Sequence, residues 1–142
     1  MIISYGITVH KEAEELRRLL DVLYKNIDDN DEIIVCVDGE DDAVRFELDI
    51  YSKKFYDDSR VMKVYQRELK KDFASQKNSV IENSVGDYVF HIDADEYPNE
   101  ILIKQLKEIL TINNVDLVWI PRVNTIDGMK EEHIKRWGWK VT

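Results

Sequence analysis

Ile33-Ile34-Val35-Cys36-Val37, followed at once by Asp38-Gly39-Glu40-Asp41-Asp42, is the stretch on which the fold turns. Five apolar residues are too few for a helix. With no polar alternation, both faces of the run must be covered, as they are in a central strand of a parallel sheet. The same kind of strand recurs on either side, alternating with helical spacing. Toward the amino terminus lies Ile2 to Val9, apolar and rich in β-branched residues, and then Leu16, Leu19, Leu20, Leu23 and Ile27 at three-and-four spacing. The polar Asp28-Asp29-Asn30-Asp31-Glu32 reads as the break between that helix and the central strand. Toward the carboxyl terminus, Val44, Leu48, Tyr51 and Phe55 mark a helix, and Val61 to Tyr65 a strand. A helix from Phe73 to about Val85 and a strand from Asp87 to Ile92 come next. Leu102, Leu106, Ile109 and Leu110 mark a last helix, and Val115 to Ile120 a last strand. Alternation of this kind implies right-handed crossovers and an α/β, Rossmann-like, mostly parallel sheet with helices on both faces.

The 142 residues suit one domain, 1–142, in which 122–142 have weaker periodicity and read as a tail. With 44% hydrophobic residues the chain has the material for a core that needs no staples. Acids outnumber bases 29 to 20, a formal charge of -9, and they are spread along the chain. That excludes a binder of the nucleic-acid backbone, which needs a clustered basic face. The lone Cys36 has no internal disulfide partner, which favours a reducing compartment. The opening Met1 to Val9 lacks a basic leader, and no apolar run nears the roughly 18 residues of a membrane span. The expected setting is the cytoplasm.

Ligands of such sheets collect beyond the carboxyl ends of the strands. Those places are Thr8 to Glu12, Asp38 to Asp42 and Asp93 to Glu96. The third closes Val89-Phe90-His91-Ile92-Asp93-Ala94-Asp95-Glu96-Tyr97-Pro98, an apolar strand ending in three carboxylates within four residues. Crowded carboxylates repel one another, and a hard divalent cation, Mn²⁺ or Mg²⁺, would offset the repulsion and screen a diphosphate. The competing reading is a solvated turn in which Glu96 or Asn99 starts the next helix. After the central strand, Gly39 permits a tight turn and Asp38 suits a base or ribose, while Asp41 or Asp42 caps the helix. Asp72-Phe73-Ala74-Ser75-Gln76-Lys77-Asn78 opens a helix and brings one cation into an acidic neighbourhood. Lys77 is either a phosphate contact or a solvated helix residue, and Asn78 a local hydrogen bonder.

Taken in order, Thr8-Val9-His10-Lys11-Glu12, Ile34 to Gly39, Asp72 to Asn78, Gly86-Asp87-Tyr88-Val89-Phe90 and Asp93-Ala94-Asp95-Glu96 resemble the family 2 glycosyltransferases of the GT-A fold. The closest likeness is to the branch with a D-F-A-x-[QR]-[RK]-N stretch before D-A-D-E, which includes sugar transferases of bacterial surface polysaccharide and relatives in phages. The resemblance implies transfer of a sugar from a nucleoside-diphosphate donor, UDP being the expected nucleotide, to an acceptor hydroxyl. Inversion at the anomeric carbon and a divalent metal, Mn²⁺ or Mg²⁺, come with it. It further implies donor contacts at Thr8, Glu12, Asp38, Lys77, Asp93 and Ala94, and metal contacts at Asp95 and Asp93. No catalytic residue is assigned.

Two departures stand out: Lys11-Glu12 where the family commonly has Asn-Glu, and Asp38-Gly39 where it often has Asp-Asp-Gly. Family members usually carry a second half with the acceptor site and a carboxylate base. Glu131 and Glu132, beside His133, are the late carboxylates here, in a charged stretch ending at Arg136 that reads as a solvated helix. Trp137 and Trp139 offer faces to a sugar or, more economically, to a core. Competing functions are a nucleotide-sugar module without catalysis and a haloacid dehalogenase-type phosphohydrolase. The latter wants its D-x-D on the first strand and a Thr or Val where Tyr97 stands.

Overall fold

In the computed structural model, which describes residues 1–122, each apolar run but the last becomes a strand. The elements are β1 (Ile3–Val9), α1 (Ala13–Asn26), β2 (Glu32–Val37), α2 (Asp42–Asp57), β3 (Val61–Gln66), α3 (Phe73–Glu82), β4 (Tyr88–Asp93) and α4 (Glu100–Asn113). The strands form one sheet in the order β3-β2-β1-β4, with every pairing parallel. Met1–Thr111 forms one compact unit, and Ile112–Thr142 is a second. Glu131, Glu132, His133, Arg136, Trp137 and Trp139 lie outside the described residues.

The register sorts side chains between the two faces. Ile3, Tyr5, Ile7 and Val9 share a face with Ile33, Val35 and Val37, all buried. On this side α2 supplies Val44 and Leu48, which line one cleft with Val37 and Val64, while the buried Leu16, Leu19, Leu20 and Leu23 come from α1. Ile34 and Cys36 point the other way and pack with Val80 of α3, Tyr65 and Val89. The approach there is close: a Cβ on Gly6 would lie 2.4 Å from Val80 Cγ1. Asp41 caps α2 by accepting a hydrogen bond from Val44 N at 3.0 Å, as read from the sequence.

Two expectations need correction. Residues 115–120 form no strand: Leu117 is 69% and Trp119 86% exposed. Helix α4 continues to Asn113, and Asn114 ends it with a left-handed φ of 45°. An apolar run becomes a strand only by pairing its main chain with a neighbour's, and the described sheet consists of β1 to β4 alone. The second correction concerns Asp28 to Glu32, which is more than a polar break. Glu32 is the first residue of β2, and Asp31 and Glu32 are 1% and 2% exposed.

Both carboxylates are buried because each finds donors from several elements. Glu32 Oε1 accepts from Ser4 Oγ and Val85 N, both at 2.7 Å, and Oε2 lies 3.1 Å from Lys63 Nζ. Burial works to raise the Glu32 pKa, but the bonds from Val85, Ser4 and Lys63 outweigh it and hold the group below its ordinary value. Asp31 Oδ1 accepts from Ile3 N at 2.9 Å and pairs with Lys107 of α4 at 2.9 Å. Burial works to lower the Lys107 pKa, and hydrogen bonds to Asp28 and Asp31 more than reverse this. Ser4 Oγ also accepts from Gly86 N at 2.8 Å. A Cβ on Gly86 would meet Ser4 Oγ at 2.5 Å and Ser4 N at 2.7 Å, so the chain entering β4 has no room for a side chain.

Two predictions follow from this amino-terminal edge. Gly86→Ala lowers unfolding stability by about 2 kcal/mol in urea titration, because backbone must move to admit the methyl. Glu32→Ala costs about 3 kcal/mol at neutral pH, since it strands buried donors. A carboxyl whose folded pKa is depressed stabilises above its unfolded pKa, and that contribution is lost as pH falls through the folded value. The gap between wild type and Glu32→Ala therefore narrows on acidification below the ordinary carboxylate range, which paired urea titrations across that range measure.

Candidate functional site

Because all four strands run the same way, their carboxyl ends share one edge. Val9 is in register with Val37, Val37 with Gln66, and Thr8 with Asp93. This brings the loops 8–12, 38–42, 67–72 and 93–96 together, the three places named from the sequence and one more.

Thr8 and Asp93 form the centre. Thr8 Oγ1 donates to Asp93 Oδ1 at 2.9 Å, and Ala94 N donates to Thr8 O at 3.0 Å, so the β1 and β4 ends are clasped by side chain and main chain alike. Glu96 turns back into this loop: its Oε1 accepts from Asp93 N and its own N donates to Asp93 O, both at 2.8 Å. Of the three clustered carboxylates, Glu96 thus closes the turn, Asp93 is half-buried and Asp95 is exposed. Asn99 starts the next helix, its Oδ1 accepting from Ile101 N at 2.8 Å. Among the described residues, no three of His, Cys, Asp and Glu gather as a group that could hold a metal ion.

Across the edge, Asp38 N donates to Val9 O at 2.8 Å and Asp38 Oδ1 accepts from Leu69 N at 3.0 Å, which pins the β3–α3 loop to the end of β2. Gly39 follows with a φ of 78°, the left-handed turn for which a glycine suits. His10 reaches over from the β1 loop, its Nδ1 lying 2.7 Å from Asp38 O and 3.6 Å from Asp38 Oδ2. Glu12 folds onto its own loop, accepting at Oε2 from His10 N at 2.8 Å and Lys11 N at 3.0 Å. The Glu12 carboxylate thus satisfies two main-chain donors of its own tight loop.

Helix α3 and the loop before it bring the cations. Asp72 caps it, accepting from Ser75 N at 3.0 Å and Ser75 Oγ at 2.6 Å, and these bonds hold its carboxyl below the usual range. Just before the cap, Lys70 and Lys71 both adopt left-handed φ values, 48° and 60°. Gln76, only 3% exposed, exchanges two hydrogen bonds with Arg67: Arg67 Nη1 donates to Gln76 Oε1 at 2.8 Å and Gln76 Nε2 to Arg67 O at 2.7 Å. Lys77 is exposed on the next position. Burial, and then the Lys77 charge, push the pKa of His91 on β4 below its ordinary value, against the pull of Asp93. Lys77, His91 and Asp93 are thus electrostatic neighbours.

The structure therefore places Thr8, Asp93 and Ala94 in contact, joins Asp38 to the same edge, and leaves Asp95 and Lys77 facing solvent there. The sequence reading missed Arg67, His10 and His91. Arg67 follows β3 directly, at a strand end left unread, so the rule that marks strand ends would have found it.

Comparison with known proteins bears on the whole chain. The profile described as glycosyl transferase family 2 matches residues 4–141. Among curated proteins there is no match. Among solved structures, S. aureus TarS superposes with a TM-score of 0.66 at 20% identity, covering 86% of this chain and 23% of that one. The mannosyltransferase PcManGT from Pyrobaculum calidifontis, in complex with GDP-Man and Mn²⁺, superposes with a TM-score of 0.65 at 18% identity, covering 76% of this chain and 32% of that one. S. aureus TarS 1-349 in complex with UDP-GlcNAc gives 0.64 at 20% identity, covering 86% and 37%. The chain therefore spans well under half the length of these structures. A profile that runs nearly end to end, together with an all-parallel sheet of GT-A architecture, makes this chain a member of glycosyl transferase family 2.

Proposed function

We propose that residues 1–142 form a nucleotide-sugar-binding GT-A domain of an inverting glycosyltransferase, passing a sugar from a nucleoside-diphosphate donor, UDP for preference, to an acceptor hydroxyl. The observation that carries this reading is the Thr8–Asp93 clasp, with Ala94 bonded to Thr8 and Asp38 on the same sheet edge, in a chain of this family. The complexes of relatives with GDP-Man, UDP and UDP-GlcNAc support a nucleotide-sugar donor. Asp38 then meets the base or ribose, Asp93 the ribose and metal shell, and Lys77 the phosphates. Thr8 orients Asp93, and the Gln76–Arg67 exchange steadies the loop ahead of α3. In the transfer the acceptor hydroxyl gives its proton to a base of the acceptor half as its oxygen bonds to the anomeric carbon from the side opposite the diphosphate, which leaves with the electron pair of the broken bond.

A divalent metal fits the residues present, although no three ligands converge among those described. Mg²⁺ and its like commonly bind through one or two carboxylates and complete their shell with substrate phosphate oxygens and water. Asp93 and Asp95 would hold it, and Glu96, engaged with Asp93 N, would stay in the turn. Bound there, the metal supplies Lewis-acid neutralisation of the charge growing on the departing diphosphate. The buried, unpaired Cys36 supports a cytoplasmic setting. Among the described residues no helix is long and apolar enough to cross a membrane.

Calorimetric titration with UDP, GDP and CDP, each with Mn²⁺ and again with a chelator, tests the reading. Metal-dependent binding with UDP preferred is the expected result, and a folded protein that binds none of them overturns it. Asp95→Ala, at an exposed position, abolishes the metal-dependent affinity while the thermal unfolding midpoint stays unchanged. Retained affinity in that variant would assign the metal to other ligands.

A further inference from the structure

We propose that His10 is a specificity residue for the nucleobase, its Nε2 accepting a hydrogen bond from a ring N–H of the base. The inference rests on the donor-site reading above and adds what the edge selects.

The argument begins with the partner of the other ring nitrogen. Nδ1 lies 2.7 Å from the main-chain oxygen of Asp38, and a carbonyl oxygen only accepts. Nδ1 therefore carries a hydrogen, and Asp38 Oδ2 at 3.6 Å adds a negative charge on the same side. With the proton committed to Nδ1, the neutral imidazole presents a lone pair at Nε2. The ring is held in place as well as in tautomer. Its Cε1 lies 3.7 Å from where a Cβ on Gly39 would stand, so the ring lies beside the Gly39 turn. His10 N is bonded to Glu12, and the side chain remains 52% exposed at the edge where the donor is read to bind. Asp38 Oδ1 is engaged by Leu69 N and its Oδ2 lies 3.6 Å from Nδ1, so Nε2 stands as a second, fixed acceptor beside the carboxylate.

A fixed acceptor sorts bases by what their pairing edge carries at its centre. Uracil has N3–H and guanine N1–H there, whereas cytosine and adenine have a lone pair. The first two complete the hydrogen bond, and the last two set lone pair against lone pair, a mismatch that lowers affinity.

The test compares UDP, GDP, CDP and ADP by calorimetry with Mn²⁺, using wild type, His10→Asn and His10→Gln. Asn places an N–H near the position of Nδ1 and can keep the bond to Asp38, but has nothing at Nε2. Gln reaches the Nε2 position with an amide oxygen. Wild type is expected to favour UDP and GDP over CDP and ADP by about tenfold. His10→Asn brings the ratio close to one while CDP affinity is kept, and His10→Gln restores part of the preference. An unchanged ratio in His10→Asn, an equal fall for all four nucleotides, or a wild type that prefers CDP or ADP overturns the assignment of His10 while the donor site stands. A wild type that binds no nucleotide overturns the donor site, and the role of His10 with it.

Discussion

The carboxylate of Glu32 is the point from which the rest of the molecule is hung. Sitting 2% exposed at the start of the central strand, it takes a hydroxyl from β1, an ammonium from β3 and a main-chain N–H from the turn before β4. Three neighbouring segments are thereby set in height against β2 at one end of the sheet. A parallel sheet has no hairpins to set its register, so such a tie does what a tight turn does in an antiparallel one. The alignment reappears at the opposite edge, where Thr8 stands level with Asp93 and can bond to it.

The two edges treat charge in opposite ways. At the amino edge each buried carboxylate meets a lysine: Glu32 meets Lys63, and Asp31 meets Lys107. At the carboxyl edge Asp38 and Asp93 are positioned by Leu69 N and the Thr8 hydroxyl, neutral donors that orient a carboxylate without cancelling its charge. Negative charge is therefore left uncancelled on Asp38 and Asp93 at the carboxyl edge. Cations stand close by on α3 and the loop before it, where Arg67, Lys70, Lys71 and Lys77 are found. An edge with fixed acids on one side and bases on the other suits a ligand that brings both a metal and phosphates.

Much of this was legible in the sequence, and the failures have physical reasons. Ile33 to Val37 announced a central strand because burial on both faces leaves no alternation, and the leucines of α1 announced a helix because one face had to be apolar. The order of strand ends located Thr8, Asp38 and Asp93 without any knowledge of distance. Asp31 and Glu32 were misread as a simple break because their partners, Ile3, Ser4, Lys63, Val85 and Lys107, are scattered along the chain, and local pattern registers only the charge. Val115 to Ile120 failed in the reverse direction: the composition of a strand was present but no strand formed. The Arg67–Gln76 exchange spans a loop with two left-handed lysines, a conformation no periodicity foretells.

Gly6 has a mechanical consequence. Val80 occupies the space that a side chain on Gly6 would fill, so α3 is keyed to β1 at one point, like a cog with a single tooth. Gln76 and Lys77 lie about one turn earlier on the same rod. Their height above the sheet is inherited from that contact, and sliding the helix would drive Val80 into the backbone of β1. Helix α3 is thus held in its slot against β1, and the segment ahead of it, Arg67 to Lys71, is tied separately, to Asp38 at Leu69 and to Gln76 at Arg67. The two sets of ties meet at the Asp72 cap.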